Sequence, residues 1–391
     1  MHIGINAQLL SFGQNYRNGG VSRYIRYLLR ELARQPGEHQ YTVFVNGEDV
    51  IEQLHAYHPQ ITYVSAPWPE TQPAARVTWE QFTLPNQLRQ RRIDVLHSPV
   101  NVLPALLPKG CASVVTLHDL AFLRFPEVLT TSKRLYHRTF TLRSLRQATA
   151  IISVSESTRT DAHTLAHIPL EKIHTVHMCI DSRFANVHSE EERANFRQKH
   201  GLTDGYILYL GTLEPRKNIP TLIEAYHSLR QDQGRREKLV LAGGKGWLYD
   251  EIFARIQQLG LEQDVIFPGY VNDQDQELWY QAASVFAFPS LYEGFGIPVA
   301  EALAGGTPAV TTNVSSLPEA GLDLALCVAP QNSEVLTSAL YQALTDTQLQ
   351  ERCRKEAYKV MESFSVQRMV TKTVAVYEQA ARERLRQQVS N

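Results

Sequence analysis

Short apolar runs alternate with amphipathic helical patterns along most of the chain, in two successive series. The first series predicts strands at Ile3–Ala7, Tyr41–Val45, Ile61–Val64, Val95–Ser98, Ser113–Leu117, Ala150–Val154 and Ile173–His177. Helices are predicted at Val21–Arg34, Ala75–Arg91, Ser132–Ala148 and Glu156–Ala166. Strands that alternate with helices in this way favour a parallel sheet covered by helices on both faces.

After a polar stretch the alternation restarts. The second series predicts strands at Tyr206–Gly211, Lys238–Ala242, Val265–Pro268, Val285–Pro289 and Pro308–Thr312, and helices at Ile219–Gln231, Tyr249–Leu259, Asp275–Ala283 and Pro298–Ala304. Because 391 residues exceed one ordinary core, we predict two doubly wound, Rossmann-like α/β domains, at 1–182 and 183–365. Two such domains are expected to face each other across a cleft, where ligands commonly bind.

The C-terminal tail has the pattern of one long amphipathic helix. Its apolar residues recur at roughly helical spacing, at Val370, Val374, Val376, Tyr377 and Ala380, so one face of the helix requires burial. The alternation of the second domain ends before this helix. We therefore expect residues 366–391 to pack back on the N-terminal domain.

Composition excludes several classes of protein. Apolar content of 43% and charged content of 20% are typical of a soluble globular protein. The first residues predict a strand rather than a signal peptide, and no apolar run reaches the roughly 18 residues of a membrane span. The four cysteines are scattered without metal-type spacing, which fits a reducing compartment. We expect a cytoplasmic protein that binds no nucleic acid.

Residues 128–155 contain no acidic side chain, although five basic residues lie among them. These are Lys133, Arg134, Arg138, Arg143 and Arg146. One interpretation is a solvated helix face. The other is contact with an anionic membrane surface or a lipid-phosphate acceptor, at the inner face of the plasma membrane.

Two carboxylates in residues 290–306 are the strongest indication of function. Glu293 and Glu301 are separated by seven residues, with a glycine-flanked turn and a short small-residue helix between them. The apolar run before them predicts a buried parallel strand. A strand, a glycine-rich turn and a helix start bind phosphate through free N–H groups. Carboxylates instead accept hydrogen bonds from sugar hydroxyls, so the combination indicates a nucleotide sugar.

A basic loop follows the first strand of the second series. There Gly211 ends the apolar run, and Arg216 and Lys217 come shortly before the next helix. A diphosphate leaving group requires such cations, because negative charge grows on its oxygens as the glycosidic bond breaks. The alternative is an ordinary basic loop before a helix.

These two motifs, in this order and spacing, resemble the family 4 retaining glycosyltransferases of the GT-B fold. The resemblance covers most of the C-terminal half and is weaker over the N-terminal half. It implies that Glu293 contacts sugar hydroxyls, that Glu301 holds the nucleotide ribose, and that Arg216 and Lys217 bind the diphosphate. It also implies that the backbone of Phe295 and Gly296 faces the sugar or the phosphates.

Further donor contacts are implied after two other strands. The loop that contains Lys245 resembles the family's loop near the base and phosphates, which makes Lys245 a secondary phosphate ligand. Residues 267–271, ending at Val271, would supply backbone groups to the base. Asp273 and Asp275 match the Asp-x-Asp pattern of metal-dependent glycosyltransferases, but they directly precede a helix. Asp273 with Gln276 fits a capping box, so we expect no metal there.

The N-terminal half contributes candidates for phosphate binding and for contact with the acceptor. Gly19 and Gly20 lie between the first strand and the first helix, where glycines allow a phosphate to approach the helix start, and they resemble the family's glycine loop. His118 ends a strand, at the place where the family often has a histidine near the donor sugar and the acceptor. The alternatives are a flexible turn for the glycines and a structural histidine.

Several strand-end residues are weaker candidates on the acceptor side. Asp119 is expected to cap a helix or to orient His118. Asn101, Ser153 and Ser155 also follow predicted strands.

The sequence therefore predicts a metal-independent, retaining glycosyltransferase of polysaccharide biosynthesis. It would transfer a hexose from a donor such as UDP-glucose or GDP-mannose to a saccharide or lipid-linked acceptor. Two alternatives remain open: a nucleotide-sugar 2-epimerase on the same fold, and a catalytically silent subunit that binds a sugar nucleotide. A Rossmann oxidoreductase is not favoured, because no Gly-x-Gly-x-x-Gly follows the first strand.

Overall fold

The computed structural model describes residues 1–12, 19–35, 37–57, 61–66, 73–125, 134–135, 137–203, 205–244 and 250–389. They form two compact units. Unit 1 comprises Met1–Cys179 and Val366–Asn391, and unit 2 comprises Ile180–Ser365. Each unit is built on a parallel sheet, and the predicted fold class is confirmed.

Unit 1 contains a seven-stranded sheet in the order β3-β2-β1-β4-β5-β6-β7. The strands are β1 (His2–Asn6), β2 (Gln40–Asn46), β3 (Thr62–Ala66), β4 (Val95–Ser98), β5 (Ala112–Leu117), β6 (Ala150–Ser153) and β7 (Ile173–Thr175). The α-helices are α1 (Gly20–Arg34), α2 (Glu48–Tyr57), α3 (Pro73–Thr78), α4 (Leu84–Gln90), α5 (Ala121–Arg124), α6 (Leu142–Gln147), α7 (Glu156–Ala166) and the C-terminal α16 (Val366–Val389). The central strands are fully buried, as expected of a parallel sheet covered on both faces.

The helix predicted at Ala75–Arg91 is not regular. A π-helical turn, Trp79–Thr83, joins α3 to α4, and the Leu84 N–H bonds to the carbonyl of Trp79, five residues back. Pro85 follows and has no N–H to continue an α-helical ladder. A second π-helical turn, His137–Thr141, precedes α6.

The C-terminal helix α16 belongs to unit 1 and packs on β4, β5, β6 and α1. The Tyr377 hydroxyl lies 2.6 Å from Nδ1 of the fully buried His97, whose Nε2 lies 2.8 Å from Thr116 Oγ1. Burial is the main cause of the lowering of the pKa of His97 to about 3, and the nearby His118 contributes to it. The ring is therefore neutral, so one nitrogen accepts and the other donates.

Unit 2 contains a six-stranded sheet in the order β10-β9-β8-β11-β12-β13. The strands are β8 (Tyr206–Leu210), β9 (Lys238–Ala242), β10 (Val265–Gly269), β11 (Val285–Phe288), β12 (Ala309–Thr312) and β13 (Leu326–Val328). The α-helices are α8 (Glu190–Lys199), α9 (Ile219–Gln233), α10 (Asp250–Gln258), α11 (Gln276–Gln281), α12 (Ile297–Ala304), α13 (Leu317–Gly321), α14 (Ser333–Thr345) and α15 (Thr347–Ser363).

The predictions missed α2 and α5 in unit 1 and the elements from α13 to α15 in unit 2. β13 spans only three residues, which is too short for a period-2 pattern to be distinguished. Among the helices that the structure describes, none combines the length and the apolar character that crossing a bilayer requires.

Candidate active site

The predicted donor residues follow strands beside the switch point of the second sheet. β8 pairs with β9 on one side and with β11 on the other, so the strand order reverses between β8 and β11. Ligands of doubly wound sheets bind outside the carboxyl ends of the strands at such a point. The segment after β8 carries Arg216 and Lys217, and the segment after β11 carries Glu293.

Glu293 lies between the two predicted phosphate ligands. Lys217 Nζ donates to its Oε1 at 2.5 Å, and Arg216 Nη1 donates to its Oε2 at 3.1 Å. Ser290 Oγ donates to Oε1 at 2.7 Å. Arg216 also donates to Glu214 Oε1 at 2.8 Å. The structure thus joins both cations and the first carboxylate of the pair in one ion-paired cluster.

Backbone contacts fix this cluster in place. The Glu293 N–H donates to Ser315 Oγ at 3.0 Å, and Ser316 Oγ donates to the Glu293 carbonyl at 2.9 Å. The Leu291 N–H donates to the Arg216 carbonyl at 2.8 Å. Because both segments are anchored through their main chains, the side chains of the cluster are preorganised.

Electrostatics keep Glu293 ionised. Burial alone would raise the pKa of this carboxyl, but the charges of Lys217 and Arg216, with their hydrogen bonds, lower it to about 2. A carboxylate held by two cations is a weak base, and its negative charge is retained throughout the neutral range. It can accept hydrogen bonds from hydroxyl groups, but it is poorly suited to act as a general acid.

Gly296 requires its glycine at the start of α12. Its φ is +102°, and a Cβ there would lie 2.9 Å from Leu317 Cδ2. No side chain caps α12 at Gly296, and an uncapped helix start favours an anion. The ring of the neighbouring Phe295 is buried and packs edge-on against Phe364, with centroids 5.0 Å apart.

Glu301 lies on α12 and has partners other than those of Glu293. The Tyr280 hydroxyl donates to its Oε2 at 3.0 Å, and both residues are buried. Lys217, Arg216 and Ser290 donate to Glu293, whereas the Tyr280 hydroxyl donates to Glu301.

The other predicted donor contacts lie after β9 and β10. Val271 follows β10 and is buried, while Lys245 lies outside the described residues. Gly243 follows β9 with a φ of +142°, and a Cβ there would lie 1.9 Å from the carbonyl oxygen of Gly211. Only glycine permits this close approach of the segments after β8 and β9.

Asp273 and Asp275 lie at the start of α11, but the predicted capping box is wrong. The N-cap is Asp275, and its side chain makes no capping hydrogen bond. Gln276 instead accepts a hydrogen bond from Arg183 Nη2 at 3.4 Å, because the tertiary neighbour competes with the local cap. Among the described residues no cluster of His, Cys, Asp and Glu could hold a metal ion. Metal independence remains a prediction.

In unit 1, Gly19 is the N-cap of α1 without a side-chain cap, and Gly20 is the first helical residue. His118 follows β5, and its Nε2 lies 2.8 Å from the Pro99 carbonyl oxygen. Burial lowers the pKa of His118, so its ring is neutral at physiological pH. Nε2 must carry the proton in order to donate to a carbonyl, and Nδ1 is left as an acceptor.

The weaker candidates around His118 have structural contacts. Asn101 Oδ1 accepts from the His118 N–H at 3.2 Å, and Asp119 Oδ1 accepts from the Ala121 N–H at 3.0 Å. Ser153 Oγ lies 3.2 Å from Thr175 Oγ1, and Ser155 caps α7. Asp119 therefore caps the turn that follows it rather than hydrogen bonding to His118.

The sequence predictions missed Glu214, Ser290, Ser315 and Ser316, which contact the Glu293 cluster, and Tyr280, which contacts Glu301. Glu214 and Ser290 are close in sequence to Arg216 and Glu293, and this proximity is the one signal by which they could have been predicted. Ser315, Ser316 and Tyr280 come from segments distant in sequence, for which a single chain gives no signal.

Two family models match the chain, one to each half. Residues 18–184 match the model described as Glycosyltransferase Family 4, and residues 191–360 match that described as Glycosyl transferases group 1.

The chain is 33% identical over 291 residues to O-antigen chain mannosyltransferase B of Escherichia coli. The aligned region covers 74% of this chain and 75% of that protein. The chain is 30% identical over 228 residues to the serotype-specific mannosyltransferase WbdA of Escherichia coli, covering 57% of this chain and 28% of that protein. Anabaena HepE, solved in complex with UDP and glucose, is similar in fold, with a TM-score of 0.71 and 18% identity over 97% of this chain and 100% of HepE.

Proposed function

Because the chain belongs to the family 4 glycosyltransferases and is a hexosyltransferase, we propose that it transfers mannose, with retention, from GDP-mannose to a saccharide or lipid-linked acceptor during cell-surface polysaccharide synthesis. The choice of mannose is supported by the two mannosyltransferases to which the chain is 30–33% identical.

One observation carries the proposal: Arg216, Lys217 and Glu293 form a largely buried cluster at the switch point of the second sheet. The two cations would bind the diphosphate, with the start of α12 as a further anion site. Glu293 would accept hydrogen bonds from the hydroxyls of the sugar. Glu301 would hold the ribose.

Retention fits the state of Glu293. A carboxylate bound by two cations and Ser290 is a poor nucleophile. Retention would then follow a front-face route, in which the departing diphosphate helps to deprotonate the acceptor hydroxyl. Arg216 and Lys217 would stabilise the charge that develops on the diphosphate. Unit 1 would bind the acceptor, where Nδ1 of His118 can accept a hydrogen bond from a hydroxyl group.

Variants of the two glutamates test the division of roles. Glu301→Gln preserves shape but replaces a strong acceptor by a weaker mixed group, so it should raise the dissociation constant of GDP. Glu293→Gln should leave GDP affinity nearly unchanged and lower kcat. Thermal shift with GDP and with UDP gives the affinities, since a nucleotide at 100 times its dissociation constant adds about 2.7 kcal/mol of stability. Equal weakening of GDP by both variants would contradict the assigned roles.

The same purified protein can be used to distinguish the proposed transferase from a 2-epimerase and from a silent subunit. A 2-epimerase consumes the nucleotide sugar without an acceptor and releases its epimer. A silent subunit binds the nucleotide but neither transfers nor hydrolyses the sugar. Product analysis with and without an oligosaccharide acceptor separates the three cases.

Activity is expected to survive excess EDTA. Arg216, Lys217 and the start of α12 supply the positive charge that a divalent ion provides in metal-dependent transferases. Sugar transfer is measured before and after chelation. Loss of activity with EDTA and its recovery with Mn²⁺ would favour the Asp-x-Asp interpretation of Asp273 and Asp275.

We also propose contact of unit 1 with an anionic membrane. Arg134, Arg138, Arg143 and Arg146 are all exposed, while Lys133 lies outside the described residues. The exposed fractions of three apolar side chains of the same unit are 77% for Phe82, 74% for Leu106 and 65% for Leu135. Gln81, next to Phe82, accepts from the Ala105 N–H, and Arg143 donates to the Ala105 carbonyl. Apolar and basic groups therefore adjoin.

Vesicle binding tests this contact. The double variant Phe82→Ser, Leu106→Ser should sediment less with phosphatidylglycerol vesicles than the parent protein, and neither should bind phosphatidylcholine vesicles. Val187, in unit 2, is 87% exposed, so Val187→Ser is the matched control. Equal binding of all three proteins to anionic vesicles would rule out this surface.

A further inference from the structure

Buried polar side chains lie at the switch point of the first sheet, which the donor site does not use. β1 pairs with β2 on one side and with β4 on the other, so the strand order reverses between β1 and β4. Asn6 is the last residue of β1, and Gln8 follows it by two residues. Ligands of doubly wound sheets bind outside the carboxyl ends of the strands at the switch point, so the carboxyl end of β1 is a candidate ligand position.

These amides are buried but incompletely hydrogen bonded. Gln8 is 4% exposed, and neither Oε1 nor Nε2 has a hydrogen-bond partner among the residues that the structure describes. Asn6 is 2% exposed; its Nδ2 donates to Glu80 Oε1 at 3.2 Å, while its Oδ1 has no partner within the same described ranges. Two acceptors and one donor group are therefore buried and unsatisfied.

Such groups oppose folding. Each buried polar group without a partner costs about 1–3 kcal/mol, and native proteins contain few of them. Methionine has nearly the shape of glutamine and would fill the position of Gln8 without this cost. A ligand that supplies the missing hydrogen bonds would explain why a destabilising amide occupies this switch point.

The cluster favours an uncharged ligand. Glu80 is buried, and its Oε2 lies 4.0 Å from Arg76 Nε, so the positive charge of Arg76 balances the negative charge of Glu80. Burial raises the pKa of Glu80, against the opposite effects of Arg76 and Asn6. Amides both donate and accept, which suits sugar hydroxyls, since each hydroxyl also does both. The cluster of unit 2 differs in this respect, since its cations Arg216 and Lys217 suit a diphosphate.

We propose that Gln8 and Asn6 form a subsite for the hydroxyl groups of the acceptor saccharide. This inference rests on the proposed function, and it assigns acceptor recognition to the carboxyl end of β1. Gln8 donates to the sugar hydroxyls through Nε2 and accepts from them through Oε1. Asn6 accepts through Oδ1, while its Nδ2 donates to Glu80.

The test compares Gln8→Met with Gln90→Met, which makes the same change at an exposed position of α4. Saturation-transfer NMR is recorded with methyl α-mannopyranoside and methyl α-glucopyranoside, in the presence of whichever of GDP and UDP stabilises the parent protein. The parent and Gln90→Met should transfer saturation to at least one sugar, and Gln8→Met should lose at least four-fifths of that signal. The smaller variant Gln8→Ala should show the same loss.

Melting without ligand gives a second readout. Gln8→Met should melt at or above the temperature of the parent protein, because it removes an unsatisfied amide, and its nucleotide-induced shift should be unchanged. The inference is overturned if the parent binds neither sugar, or if Gln8→Met and Gln8→Ala retain the signal. Absence of any shift with both nucleotides would instead refute the proposed function, so the two failures are distinguishable.

Discussion

Lys217→Ala is expected to lower kcat/KM by about 10²–10³-fold, or about 3–4 kcal/mol of transition-state stabilisation, the scale for loss of one preorganised donor. Lys217 is 8% exposed, and its Nζ lies 5.1 Å from the centroid of the Phe288 ring. A cation in these surroundings is little screened by water. The kinetics are measured with the nucleotide sugar and an oligosaccharide acceptor.

Lys238→Ala is the matched control. Lys238 also forms an ion pair in unit 2, with Asp264 at 2.8 Å, but it begins β9, at the opposite end of the strand from the predicted donor contacts. A partly exposed pair of this kind contributes about 0–1 kcal/mol to stability, so kcat/KM should be nearly unchanged. If Lys217→Ala folds and retains the kcat/KM of the parent, the diphosphate assignment is wrong.

Deletion of residues 366–391 is expected to unfold or severely destabilise unit 1. Seven residues of α16 are buried: Val366, Met369, Val370, Thr373, Val376, Tyr377 and Ala380. Each large apolar side chain contributes about 1.5–3 kcal/mol when fully buried. Their sum is on the order of 10 kcal/mol, similar to the whole stability of a typical domain, about 5–15 kcal/mol.

Hydrogen exchange measured strand by strand locates the effect. Exchange should accelerate in β4, β5 and β6, on which α16 packs. Tyr377→Phe is a milder variant that leaves His97 Nδ1 buried without its partner, at a cost of about 1–3 kcal/mol. Deletion of residues 387–391 alone is the control, because these residues follow the buried part of α16. Unchanged melting after the full deletion would show that the helix is an independent appendage.

Local sequence predicted most elements because each has a periodic pattern and clear boundaries. The helix at Glu156–Ala166 and the strands at Val95–Ser98 and Lys238–Ala242 have the predicted bounds. The failures arose where tertiary contacts compete with local preference. Arg183 engages Gln276, which the predicted capping box required, and β13 is too short to show its own period.

The sequence by itself determined the class of fold and the residues of the predicted donor motifs, because strand–helix alternation and a glycine turn between carboxylates are local features. Only the tertiary structure decided how those residues are paired. Glu293 is 76 residues from Lys217, yet it forms ion pairs with Lys217 and Arg216, because adjacent parallel strands β8 and β11 bring their following segments together. The unsatisfied side-chain amide of Gln8 is likewise invisible in sequence, since burial and missing partners exist only in a packed structure.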